Sequence, residues 1–98
     1  MAKSRAIAAI NKILLDEKRY AARLQERGDF GQAKLALAAL AEIKGALKSA
    51  ALGEDEDYVE RLVAALHEAK ASYCGLWDDP DGIGSSTFSR VLDQLDAD

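Results

Sequence analysis

Between Arg5 and Arg27 the apolar positions fall at Ile7, Ile10, Leu14, Ala21 and Leu24. Steps of three and four residues line these up along one face of an α-helix. Glu17 takes a position in the same seam and is its one polar intruder, while Ile13 and Tyr20 widen the stripe. Gly28 is the expected stop, because glycine alone takes the left-handed backbone of a helix C-terminus at no steric cost. Arg23 and Arg27 stand in the last turns, where the helix dipole favours cations.

Asp29 follows as an N-cap whose carboxylate can accept from the otherwise free first-turn amides. The second pattern runs from Phe30 to Leu52, with Ala36, Leu40, Ile43, Leu47 and Ala50 on one stripe and Leu35 and Leu37 off it. Its apolar surface is therefore broad. Gly45 inside it costs about 1 kcal/mol relative to alanine, and it offers a place where another helix could approach closely. Two helices of about 23 residues, each roughly 35 Å long, joined by so short a turn, must run antiparallel.

The acidic run at residues 54–57 suits the N-terminus of a third helix. That helix carries Val59, Leu62, Val63, Leu66, Ala69 and Tyr73 and is expected to end at Gly75. A connector over 77–86 leads to a short fourth helix, with Ser85 or Ser86 as N-cap and Phe88, Val91, Leu92 and Leu95 on one face. No stretch alternates with period two. The expected fold is all-α: residues 1–98 form a single helical domain, a small helical bundle of a long antiparallel hairpin, a third helix and a short C-terminal helix.

The stretch Gly28-Asp29-Phe30-Gly31-Gln32-Ala33 resembles the inter-helix turn of tetratricopeptide repeats. The resemblance covers about a dozen residues and implies two helices meeting tightly. The chain departs from that family beyond the turn. Leu40 stands where the family prefers a small residue, and no second copy follows about 34 residues on. No peptide-binding residues are carried over.

Charge adds an asymmetry that the net value of −4 conceals. Residues 1–53 hold ten Lys and Arg against five Asp and Glu, a balance of +5, while residues 54–98 hold three against twelve, a balance of −9. Such halves can attract each other within a chain or head to tail between chains. The basic side chains of the first half are spread around their helices with acids between them, so direct nucleic-acid binding is not expected. The opening segment turns from basic to apolar, but Asn11 and Lys12 interrupt it and Asp16 and Glu17 follow, which fits an amphipathic helix better than a signal peptide. No run approaches the roughly 18 apolar residues of a spanning helix. The single cysteine, Cys74, has no partner for an intrachain disulfide. A cytoplasmic protein is the expectation.

Candidate chemistry concentrates in Trp77–Thr87. Read as a calcium loop from Asp79, it places Asp81 at the third position and Gly84 at the sixth, both matching. Ile83 then fills the fifth position, and Arg90 the twelfth, where a bidentate glutamate belongs. A cation aimed at the ion argues for a connector instead. His67 and Cys74 share a helix face about 10 Å apart, too far to hold one ion together. Ser85, Ser86 and Ser89 have no histidine on their own helix and no strand–turn–helix elbow to present a hydroxyl. No catalytic, metal or cofactor site is expected, and no enzyme.

What remains is the breadth of the apolar faces. The principal expectation is a non-catalytic helical interaction module in an adaptor or regulatory role. It would meet a protein partner, or itself as a homo-oligomer, through Ile7, Ile10, Leu14, Leu40, Ile43 and Leu47. An alternative is a small acidic inhibitor, a mimic of nucleic acid acting on a nucleic-acid-binding protein in a phage–host setting, through Glu54, Asp55, Glu56, Asp57, Asp78, Asp79 and Asp81. A further alternative is an oligomer binding a small ligand between helices, stacked on Tyr58, Tyr73 and Trp77.

Overall fold

A computed structural model of the chain describes residues 3–51, 57–77 and 82–96. Four helices account for nearly all of them: α1 (Lys3–Glu26), α2 (Phe30–Ala51), α3 (Tyr58–Trp77) and α4 (Ile83–Asp96). No strand occurs among the described residues. The architecture is a small all-α bundle.

The α1–α2 hairpin is built as its sequence dictates. Gly28 adopts φ +80°. Its N–H donates to the Gln25 carbonyl at 3.0 Å, and the Asp29 N–H reaches back to the Leu24 carbonyl at 2.8 Å. These two bonds are the Schellman closure of a helix. Asp29 then caps α2: its Oδ1 accepts from the Gln32 N–H at 3.4 Å, and its carbonyl from the Ala33 N–H at 3.1 Å. One residue thus closes the first helix and starts the second. Asp57 plays the corresponding part for α3, its carbonyl accepting from the Arg61 N–H at 2.9 Å. Arg61 also donates from Nη2 to the Ala50 carbonyl at 3.1 Å, fastening the end of α2 to the start of α3.

Two boundaries differ from the sequence expectation. Helix α3 continues through Gly75 to Trp77. Among the described glycines only Gly28 has a positive φ, and a glycine that keeps helical backbone does not stop a helix. Helix α4 begins at Ile83, before the expected caps. The Gly82 carbonyl accepts from the Ser86 N–H at 3.0 Å, so Gly82 holds the N-cap position and the two serines lie within the helix. Ser85 is buried there, its Oγ 3.4 Å from Cys74 Sγ.

The core is one cluster drawing on all four helices. Ile10 and Leu14 of α1, Leu40 and Ile43 of α2, Tyr58, Leu62, Leu66 and Tyr73 of α3, and Phe88 and Val91 of α4 are all buried in it. Burying each such side chain contributes about 1.5–3 kcal/mol. The Tyr73 and Phe88 rings pack at a centroid distance of 5.7 Å with a 47° tilt, within the favourable range for an aromatic pair. Helix α2 is the hub, packed against each of the others. Its buried face is mostly alanine: Ala33, Ala36, Ala39, Ala46 and Ala50. Small side chains let three neighbours approach one helix, which explains why its apolar surface is so broad. Gly45, by contrast, meets nothing within 4 Å of where a Cβ would sit, so it serves no close approach inside the chain. The close approach is at Gly84, where a Cβ would collide with the Tyr73 phenol.

Candidate functional site

The hairpin residues expected to form an open contact face are used within the chain. Ile10, Leu14, Leu40 and Ile43 are buried in the core, and Ile7 and Leu47 are half-buried against it. The reason is geometric: α3 and α4 lie across the hairpin and cover its broad stripe. Of the acidic set, Glu54, Asp55, Glu56, Asp78, Asp79 and Asp81 lie outside the described residues, and Asp57 is exposed at the start of α3. Tyr58 and Tyr73, expected as stacking platforms, are core residues. Only Trp77 of that group reaches the surface, half-buried, with Lys34 Nζ 5.3 Å from its ring centroid. His67 is exposed and Cys74 half-buried.

Two surface features stand out instead. The first is at the end of the bundle where α2 begins and α3 finishes. The Lys34–Trp77 contact ties these two ends together. Phe30, one turn before Lys34, is 66% exposed, and Leu76, beside Trp77, is 72% exposed. Leu37, seven residues after Phe30 and hence on the same face of α2, is also exposed. Further along that face stand Lys44 and Lys48, both exposed. The outer side of α2 therefore combines apolar and basic side chains.

The second feature is the seam between α1 and α4. Glu17, the polar intruder of the α1 stripe, is buried, with only 5% of its side chain exposed. Its Oε2 accepts from Arg90 Nη1 at 3.3 Å; the arginine side chain remains 48% exposed. Its Oε1 is buried without a hydrogen-bond partner. Burial pushes the Glu17 carboxyl above the usual carboxylate range; the neighbouring Thr87 hydroxyl and the Arg90 charge pull it back less strongly. Thr87 Oγ1 also stands 3.1 Å from the Ile83 carbonyl, so its single proton serves either that carbonyl, the back-bond common for threonine inside a helix, or the Glu17 carboxylate.

A cleft of about 470 Å³ opens against this carboxylate, bounded by Asp16 and Tyr20 of α1 and by Gly82, Ile83, Ser86 and Arg90 around the start of α4. Both members of the pair are visible in the sequence as separate oddities, Glu17 in an apolar seam and Arg90 at the wrong place for a calcium loop. Their pairing is not, since 73 residues separate them.

Among the described residues, no three His, Cys, Asp or Glu side chains converge as a metal site would require, and no helix is long and apolar enough to cross a membrane. No family model, curated protein or solved structure matches this chain.

Proposed function

We propose that the protein is a non-catalytic helical interaction module that associates with a second copy of itself. Its contact is not the inner hairpin stripe but the exposed end formed by Phe30, Leu37, Leu76 and Trp77. The observation that carries this reading is the exposure of Phe30 and Leu76 at one end of the bundle, bridged by Lys34 and Trp77. Large apolar side chains left together in water favour burial against a partner.

Charge supports a second copy as that partner. The outer side of α2 offers Lys34, Lys44 and Lys48 beside the apolar residues, so pairing this face with itself would set like charges together. The second half of the chain carries the balance of −9. A head-to-tail arrangement brings the basic-apolar face of one copy against the acidic half of the next, and electrostatic complementarity of this kind sets orientation as much as affinity.

Sedimentation velocity over a wide concentration range tests it. A reversible, concentration-dependent increase in mass is expected, weakened by salt and abolished by the double substitution Phe30→Ser and Leu76→Ser. A monomer at every concentration in low salt overturns the reading. So does an oligomer indifferent to that substitution.

A further inference from the structure

Gly45 stands inside α2, where glycine is less favourable than alanine. Its φ is not positive, since among the described glycines only Gly28 has that conformation. Nothing in the chain lies within 4 Å of where its Cβ would sit. Neither the backbone nor the internal packing calls for a glycine here. Gly45 does open a groove of about 460 Å³ between α2 and α3, with Ala41 and Ser49 on one wall and Ala65 and Ala69 on the other. Every uncharged residue of the lining is alanine, serine or glycine, so a side chain from outside can come close to both helix backbones.

Charge and position narrow what fills it. The charged residues of the lining are Glu42 and Glu68, which attract a basic occupant and repel an acidic one. Leu37 stands one turn before Ala41 on α2, and Leu76 one turn after Ser72 on α3, both exposed. The groove is therefore continuous with the exposed end of the bundle. The two differ in kind: the groove is small-walled and acidic, while the end presents large apolar side chains beside an exposed lysine, Lys34. Phe30 and Leu76 are the most exposed large apolar residues described.

Building on the self-association proposed above, we propose that the exposed end of one copy seats in the α2–α3 groove of the next, Phe30 and Leu76 over Gly45, with Lys34 against Glu42 and Glu68. The contact joins two different surfaces, so it is heterologous. Each copy then has one surface to give and one to receive. Gly45 keeps the receiving surface open.

Sedimentation velocity of the full chain tests this with Gly45→Gln, which puts a long uncharged side chain into the groove. Because the position is open, the variant is expected to melt no lower than the native chain in dilute protein, where the groove is empty. It is expected to weaken association about tenfold or more, the effect of overfilling a packed contact. Glu42→Lys with Glu68→Lys should weaken it at least as much, by setting like charges together, and decides the matter should Gly45→Gln fold poorly. The Gly45→Gln chain keeps its exposed end, and the Phe30→Ser, Leu76→Ser chain keeps its groove. At a concentration where each alone is monomeric, an equimolar mixture is expected to form a one-to-one complex. Association of the native chain that ignores both groove variants, or a mixture that stays monomeric, overturns the proposal and leaves self-association through the exposed end standing. A native chain that is monomeric throughout removes both.

Discussion

Glu17 on α1 and Arg90 on α4 meet at 3.3 Å, the acid buried and the base half in water. The pair is unequal: the carboxylate has lost most of its hydration, while the guanidinium has kept much of its own. Burial dominates, which is why the Glu17 carboxyl lies above its ordinary range. An acid whose folded value is raised binds its proton more readily in the folded chain than in the unfolded one. Stability therefore falls as pH rises from the ordinary glutamate value through the raised folded value, and is greatest below that window. Urea melts between about pH 4 and 8 are expected to show this decline, and Glu17→Gln to flatten its contribution. At neutral pH, Glu17→Leu should stabilise the fold by about 1–3 kcal/mol, because it removes a desolvated charge while Arg90, 48% exposed, is not left buried without a partner. A lower melting temperature in Glu17→Leu would show that the ion pair outweighs its desolvation.

Gly84 makes a different demand. Its missing side chain is where the Tyr73 phenol lies, so Gly84→Ala drives a methyl group into the hydroxyl and the ring. Tyr73 is buried and packed on Phe88 and cannot swing clear without disturbing the centre of the core. A loss of about 1–3 kcal/mol is expected. Combining it with Tyr73→Phe should recover only part of this, since ring carbons also fall within the forbidden contact. The double-mutant cycle measured in urea should therefore show coupling between the sites; strict additivity would argue that α3 and α4 do not meet here.

These two positions mark where sequence reading succeeds and where it stops. The hairpin is legible because its signals are local: the spacing of Ile10 and Leu14, the stop at Gly28 and the cap at Asp29 all act within a few residues. The start of α4 is not, because Gly84, Ser85 and Ser86 look like a connector until the tyrosine that packs on Gly84 is in place. Helix α3 runs past Gly75 because nothing there requires a left-handed backbone. The broad stripe is legible as apolar, but its covering comes from α3 and α4 of the same chain. No local pattern distinguishes that from covering by a partner.

Two further glycines should respond in opposite directions. Gly28 has φ +80°, and nothing lies within 4 Å of where its Cβ would sit, so Gly28→Ala is penalised by backbone conformation alone. About 1–2 kcal/mol of destabilisation is expected. Gly45 is helical, exposed and equally unobstructed. Gly45→Ala should stabilise by up to about 1 kcal/mol through helix propensity. Thermal melts of the two variants check both signs; a destabilised Gly45→Ala would mean that the open groove Gly45 lines with Ala65, Glu68 and Ala69 of α3 is occupied in solution.

Trp77 is the chain's only tryptophan, and it lies beside the exposed end proposed for self-association. Lys34 Nζ stands 5.3 Å from its ring centroid. With Lys34 exposed the attraction is worth about 0.5–1 kcal/mol, so Lys34→Met should lower the melting temperature by about 2–8 °C while altering the emission of the indole. The same emission reads the proposed contact. If Phe30, Leu76 and Trp77 are covered by a second copy, raising the protein concentration dehydrates the ring and moves its emission to shorter wavelength. Phe30→Ser with Leu76→Ser should hold the emission at its dilute value throughout. An emission that stays fixed while sedimentation reports association would place the contact on another face of the bundle.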